Sequence, residues 1–373
     1  MKTDQNMNIP AISINMMVNK LGGLYTAAIK GGLPLKSIPS AFLWGAPGVG
    51  KSDGVRQIAE KIEAETGKKT RVTDIRLLLF SPIDLRGVPM ADQNRQFTEW
   101  LRPKIFDLDP SEDIVNLLFL DELSAAPQSV QAAAYQITLD RTVGEHALPD
   151  NTIIIAAGNR TTDKSVAYRM PNALANRMLH FQINVDFESW HIWAVRNRIH
   201  PLVTGYLSFD HEKLCHEPDG KEDIAFPTPR TWAFVSGLLY ASDITASPAG
   251  LPDDLHYLIG SCIGVGAAAE FEGWCGIYRD LPSAEDIFAG KKAEYPRKPD
   301  VLYALVSSMV HYASQHNDLS RTELENACRF ASRFPMDFAT VLYRDLKELP
   351  GYDKKLIMIP AFRSWMERQK KQV

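Results

Sequence analysis

Apolar residues in the first half of the chain come in short runs, each followed by a helical or turn-rich stretch. The runs at 41–44, 70–76, 116–120, 152–157 and 179–185 have the length of strands. Their alternation with helical segments predicts an α/β fold with a parallel sheet, because parallel strands need crossover connections. After the first run, Val55, Ile58, Ala59 and Ile62 recur at i, i+3, i+4 and i+7, with Lys61, Glu63 and Glu65 on other faces and Gly67 as a stop. That spacing predicts an amphipathic helix. Beyond about Asp186 the pattern changes to helices, over 189–198, 229–242, 252–278, 299–315, 321–332 and 352–370. A linker is expected between Asp280 and Asp300, where Pro282, Gly290, Pro296 and Pro299 interrupt a charged stretch. Trp190, Trp193, Trp232, Trp274 and Trp365 lie in the helical half and read as core packing.

The 373 residues suffice for two or three domains, and their net charge of −4 argues against the general basic field that drives nonspecific nucleic-acid binding. Residues 1–10 lack the apolar core of a signal peptide, and no later run is long enough to span a bilayer. A cytoplasmic protein without membrane insertion is expected. The four cysteines form no C-x-x-C pair and read as reduced thiols. His211, Cys215 and His216 have the residue types of a zinc site, yet no second ligand pair accompanies them, so the segment reads as a polar loop.

Chemistry enters with Gly45-Ala46-Pro47-Gly48-Val49-Gly50-Lys51-Ser52, placed between the first strand and the amphipathic helix. Its glycines let backbone N–H groups turn toward phosphate oxygens, Lys51 reaches the outer phosphates, and the Ser52 hydroxyl is placed to hold Mg²⁺. A nucleoside triphosphate and Mg²⁺ are the expected ligands. Downstream, the apolar strand at 116–120 ends in Asp121 and Glu122. This is a Walker B pattern, in which Asp121 joins the Mg²⁺ shell and Glu122 polarises a water for in-line attack on the γ-phosphate. The strand at 152–157 delivers Asn159 to the sheet edge where ligands of parallel sheets sit. There Asn159 can bond the γ-phosphate or the attacking water, although an Asn after Gly158 is also an ordinary turn residue. Between the second strand and Walker B, residues 88–91 and 96–100 flank the polar tip Asp92-Gln93-Asn94-Arg95 and predict an inserted hairpin.

Walker A, Walker B and Asn159 together resemble the AAA+ ATPases, and the segments at 81–89, 139–150 and 226–232 resemble their MoxR branch. The likeness covers roughly residues 36–242 and continues more faintly through 266–271. It implies ATP as the nucleotide, with an AAA+ core at 1–187 carrying a helix-2 insert hairpin that faces a ring pore, a helical lid at 188–250, and a C-terminal helical extension at 251–373. Carried over by position, Arg177 matches the arginine finger that reaches the nucleotide of a neighbouring subunit, with Arg160 and Arg169 as substitutes. Arg230 matches sensor 2 at the start of a lid helix. The resemblance further implies a homo-oligomeric ring, expected to be a hexamer, that remodels a protein client as a chaperone, with a von Willebrand factor A domain protein as partner. A DNA-directed motor of the helicase or restriction type would use the same nucleotide residues, as would a slow, nucleotide-gated assembly scaffold.

Overall fold

The computed structural model describes residues 8–160, 170, 175–216, 224–244, 251, 253–277 and 281–370. The chain divides into two compact units, Met1–Asp186 and Phe187–Val373.

In the first unit, β1 (Ala11–Ile12), β2 (Ala41–Trp44), β3 (Lys69–Arg76), β6 (Ile114–Asp121), β9 (Thr152–Gly158) and β10 (Leu179–Ile183) form a six-stranded sheet in the order β1-β10-β2-β9-β6-β3. Every pairing in it is parallel. Successive side chains of a strand face opposite sides of a sheet. Leu43, Leu117, Phe119, Ile153 and Ile155 therefore share one core with Met17, Leu21 and Tyr25 of α1 (Ile14–Lys30) and Val55, Ile58 and Ile62 of α2 (Lys51–Thr66). Phe42, Trp44, Leu118, Leu120, Ile154 and Ala156 pack on the other side with Val130, Ala134 and Ile137 of α4 (Gln128–Asp140). Burial on both faces is why the central strands read as unbroken apolar runs. At the edge, β3 is mostly exposed and carries Lys69, Arg71 and Arg76, charges that discourage pairing with another strand.

The inserted hairpin is present: β4 (Val88–Ala91) pairs antiparallel with β5 (Thr98–Leu101) after the short helix α3 (Pro82–Arg86). Asp92 shapes its tip by accepting from the Gln96 and Phe97 amides at 2.7 and 2.9 Å. At its base Gly87 has φ +95°, and an added Cβ would lie 2.0 Å from the Leu101 carbonyl oxygen, so a side chain is excluded there. A second, shorter hairpin joins β7 (Thr142–Val143) to β8 (His146–Ala147).

Among its described residues the second unit is helical: α5 (Phe187–Arg196), α6 (Pro201–Phe209), α7 (Pro229–Ala241), α8 (Asp253–Ile263), α9 (Val265–Cys275), α10 (Ala284–Phe288), α11 (Pro299–Gln315), α12 (Arg321–Ala331), α13 (Met336–Glu348), α14 (Tyr352–Ile357) and α15 (Pro360–Lys370). Trp190, Trp232, Trp274 and Trp365 are buried, with Tyr206 meeting Phe271 and Trp274 edge-on at 5.4 and 5.7 Å. Three expectations need correction. The helix expected over 352–370 is interrupted at Met358 and Ile359, ahead of Pro360, and forms α14 and α15. The helix expected over 252–278 breaks at Gly264, where φ is +85° and a Cβ would stand 2.9 Å from the Ala225 carbonyl oxygen. The expected linker at 280–300 contains α10, capped by Ser283, whose Ala284, Ile287 and Phe288 enter the same core as Leu302 and Ala327. Its prolines flank a helix that is too short for its period to stand out.

Candidate functional site

The carboxyl end of β2 runs directly into the glycine loop. The Gly45 amide donates to the Gly158 carbonyl at 3.2 Å, and a Cβ on Gly45 would sit 3.0 Å from the Ile183 oxygen, so the loop starts wedged between β9 and β10. Gly48 and Gly50 have φ of +81° and +97°, the left-handed region that glycine enters without steric cost. Gly50 caps α2. The sixteen residues of that helix direct the positive end of its dipole and its first amides at the loop.

Three strands supply the remaining groups. Because β9 lies between β2 and β6, Asn159 emerges between the loop and Walker B. The Lys51 ammonium, 8% exposed, donates to the Gly45 and Ala46 carbonyls at 2.5 and 3.0 Å and to Asn159 Oδ1 at 3.3 Å. Ser52 Oγ donates to Asp121 Oδ2 at 3.2 Å, while the other carboxylate oxygen of Asp121 accepts from the Glu122 amide at 2.9 Å. A hydroxyl and a carboxylate converging in this way suit a hard cation such as Mg²⁺, which takes few protein oxygens and completes its shell with phosphate and water. On the neighbouring strand Asp74 has its carboxyl pushed up by burial and by the Asp121 charge, so negative charge is concentrated at this end of the sheet.

Glu122 has φ +60°, a conformation uncommon outside glycine, and its carbonyl accepts from the Ala125 and Ala126 amides in a tight turn. Its side chain is half-buried at the end of the strand that delivered it. Strain of about 1–3 kcal/mol at such a position is the kind that functional sites retain.

Ser124 was not legible as a participant. It is 3% exposed, and its Oγ accepts from the Asn159 amide at 2.9 Å and donates to the Asn159 carbonyl at 3.0 Å. Gln131 of α4 supports the turn by donating to the Ala126 carbonyl at 2.9 Å, and Tyr135 donates to Gln131 at 3.1 Å. Glycine at 158 makes room for this clamp, since a Cβ there would stand 2.6 Å from Ser124 Oγ and 3.0 Å from Phe42 Cζ. Gly158→Ala is therefore expected to cost about 1–3 kcal/mol through overpacking, read from the urea midpoint. An unchanged midpoint would show that Ser124 can move aside.

Arg177 is exposed in the turn before β10 and makes no ion pair among the described residues. Arg160 is half-buried beyond Asn159, and Arg169 lies outside the described residues. Arg230 belongs to the second unit, exposed on the first turn of α7, whose start is fixed by Thr228 accepting from the Thr231 amide at 3.1 Å. His211, the first residue of the zinc-like triplet, stacks on Phe187 at 3.7 Å. Among the described residues no cluster of three His, Cys, Asp or Glu could hold a metal, and no helix is long and apolar enough to cross a membrane.

The chain is similar to the protein Chaperone MoxR1 of Mycobacterium tuberculosis, with 27% identity over 152 residues, 40% of this chain and 36% of the relative. The match thus spans about a third of that relative's length. Similar solved structures include PCH-2 of C. elegans, at 14% identity and TM-score 0.34 over 73% of this chain and 71% of that one. Another is a mutant form of Thermotoga maritima RuvB, at 15% identity and TM-score 0.37 over 86% of this chain and 92% of that one. No protein-family profile matches the chain.

Proposed function

We propose that this chain, a MoxR-like AAA+ ATPase by fold and sequence likeness, hydrolyses Mg-ATP as one subunit of a homo-oligomeric ring, of hexameric form, and uses the energy to remodel a protein client. The observation that carries the reading is a double convergence at one sheet edge: Lys51 with Asn159, and Ser52 with Asp121. Four polar residues from three separated chain segments meet where the glycine loop and a helix N-terminus already favour phosphate.

In this reading residues 45–52 cradle the triphosphate, and Lys51 stands against its outer oxygens. Ser52 and Asp121 hold Mg²⁺, which neutralises charge on those oxygens when bound. Glu122 accepts a proton from the attacking water, and Asn159, fixed by Ser124, orients that water or the γ-phosphate. Arg177 completes a neighbouring subunit's site. Residues 188–250 form the lid, where Arg230 senses the nucleotide, and 251–373 form an extension. The hairpin at 88–101 faces the pore and touches the client, and a von Willebrand factor A domain protein serves as client or adaptor.

Glu122→Gln tests this. The amide keeps the size of the side chain and cannot take the proton, so turnover should fall by about 10²–10⁴ while ATP binding persists. In ATP the variant should also retain the partner on affinity capture. Parental turnover would remove Glu122 from the reaction, and capture of nucleic acid in place of protein would replace the client class.

A further inference from the structure

Trp44, the last residue of β2, donates its indole N–H to Nδ1 of His180 at 3.0 Å, and the two rings stack at 6.1 Å. An Nδ1 that accepts leaves the imidazole proton on Nε2. Nε2 stands 2.7 Å from the Ala175 carbonyl oxygen and donates to it. That same oxygen accepts from the Met178 amide at 3.3 Å, which closes a turn with Asn176 and Arg177 at its centre. Met178 anchors the far side of the turn in the core beneath the sheet. His180 thus spans two points that the sequence keeps apart: the root of the nucleotide loop, since Gly45 follows Trp44, and the turn that presents Arg177.

We propose that His180 is a positioning residue for Arg177, setting the guanidinium for the neighbouring subunit's nucleotide and referring its position to the subunit's own loop. The proposal rests on Arg177 acting across the subunit boundary. The bond to the Ala175 carbonyl fixes the entry to the turn as the burial of Met178 fixes its exit, and a misplacement near 1 Å can cost about 10²-fold in rate.

Mixed assemblies separate the two readings. Arg177→Ala subunits keep a complete nucleotide site, and Glu122→Gln subunits keep the arginine, so mixing them should recover ATP turnover above that of either alone. No recovery would overturn the role of Arg177 itself. With recovery in hand, placing His180→Ala on the Glu122→Gln subunit should reduce it about tenfold, while placing it on the Arg177→Ala subunit should leave it standing. An unchanged recovery in the first mixture overturns the proposal. So does an equal loss in both, which would make His180 a residue of the general fold, whereas loss in the second mixture alone would assign it to its own subunit's loop. His180→Gln, whose amide can accept from the indole and donate to the Ala175 carbonyl, should keep the recovery and guards against a folding defect. Nitrogen-15 NMR of the parent protein should show the Nε2-protonated tautomer, and the Nδ1-protonated form would contradict the bridge.

Discussion

Arg177→Ala is expected to lower the ATP turnover of the assembled protein by about 10³-fold or more, the low end of what an arginine acting on transferring phosphoryl oxygens supplies. Affinity for ATP should change little, because the groups that cradle the triphosphate lie in the subunit's own loop. The expectation rests on exposure without a partner: Arg177 is solvent-facing on the turn before β10 and forms no ion pair among the described residues. An arginine held for structure would be paired or laid along the core. Arg177→Lys should also fail, since an ammonium lacks the planar fork that spans two phosphate oxygens. Steady-state hydrolysis across protein concentration, with a fluorescent-nucleotide titration beside it, makes the measurement. The parent should accelerate as subunits associate and Arg177→Ala should not. If the variant turns over ATP at the parental rate, the finger lies elsewhere, and Arg160→Ala becomes the next substitution to assay.

Much of the nucleotide unit was legible because its strands are buried on both faces. Runs such as residues 152–157 could not be amphipathic, and the glycine loop announces itself by type and spacing. What stayed hidden depends on contacts between distant segments. Ser124 reads as an ordinary residue after Walker B, yet it holds Asn159 from 35 positions away. Helix α1 is faint in the sequence although Met17, Leu21, Tyr25 and Ala28 follow a helical stripe, because Gly22 and Gly23 lower its propensity. A Cβ at Gly22 would lie 2.8 Å from Lys61 Cδ of α2, a flexible side chain that can move aside. In α4 a run of alanines blurs the stripe, and α13 carries one in Ala339, Leu342, Tyr343 and Leu346 at i, i+3, i+4 and i+7.

Asp345 shows most sharply how a contact between distant segments escapes the sequence pattern, and Asp345→Ala is expected to destabilise the second unit by about 3–5 kcal/mol. By type Asp345 belongs on the solvent face of α13, but it is 3% exposed and meets His191 of α5, itself 1% exposed, with Oδ2 and Nε2 2.7 Å apart. Ser208 of α6 lies 3.4 Å from the other ring nitrogen, and Arg344 donates to Asp345 Oδ1 at 3.1 Å while also pairing with Glu188. The carboxylate joins α13 to α5, and the His191 ring extends the network to α6. Removing the carboxylate leaves the buried imidazole without its acceptor, while Arg344 keeps Glu188, and the desolvation of the imidazole is the main source of the cost. Asp345→Asn keeps the volume and one acceptor, so it should lose less than Asp345→Ala. Urea unfolding followed by tryptophan fluorescence reports mainly on this unit, which holds Trp190, Trp193, Trp232, Trp274 and Trp365. A shift in midpoint at constant slope is expected, and a loss below about 1 kcal/mol, the range of an exposed pair, would show that the network is not what joins these helices.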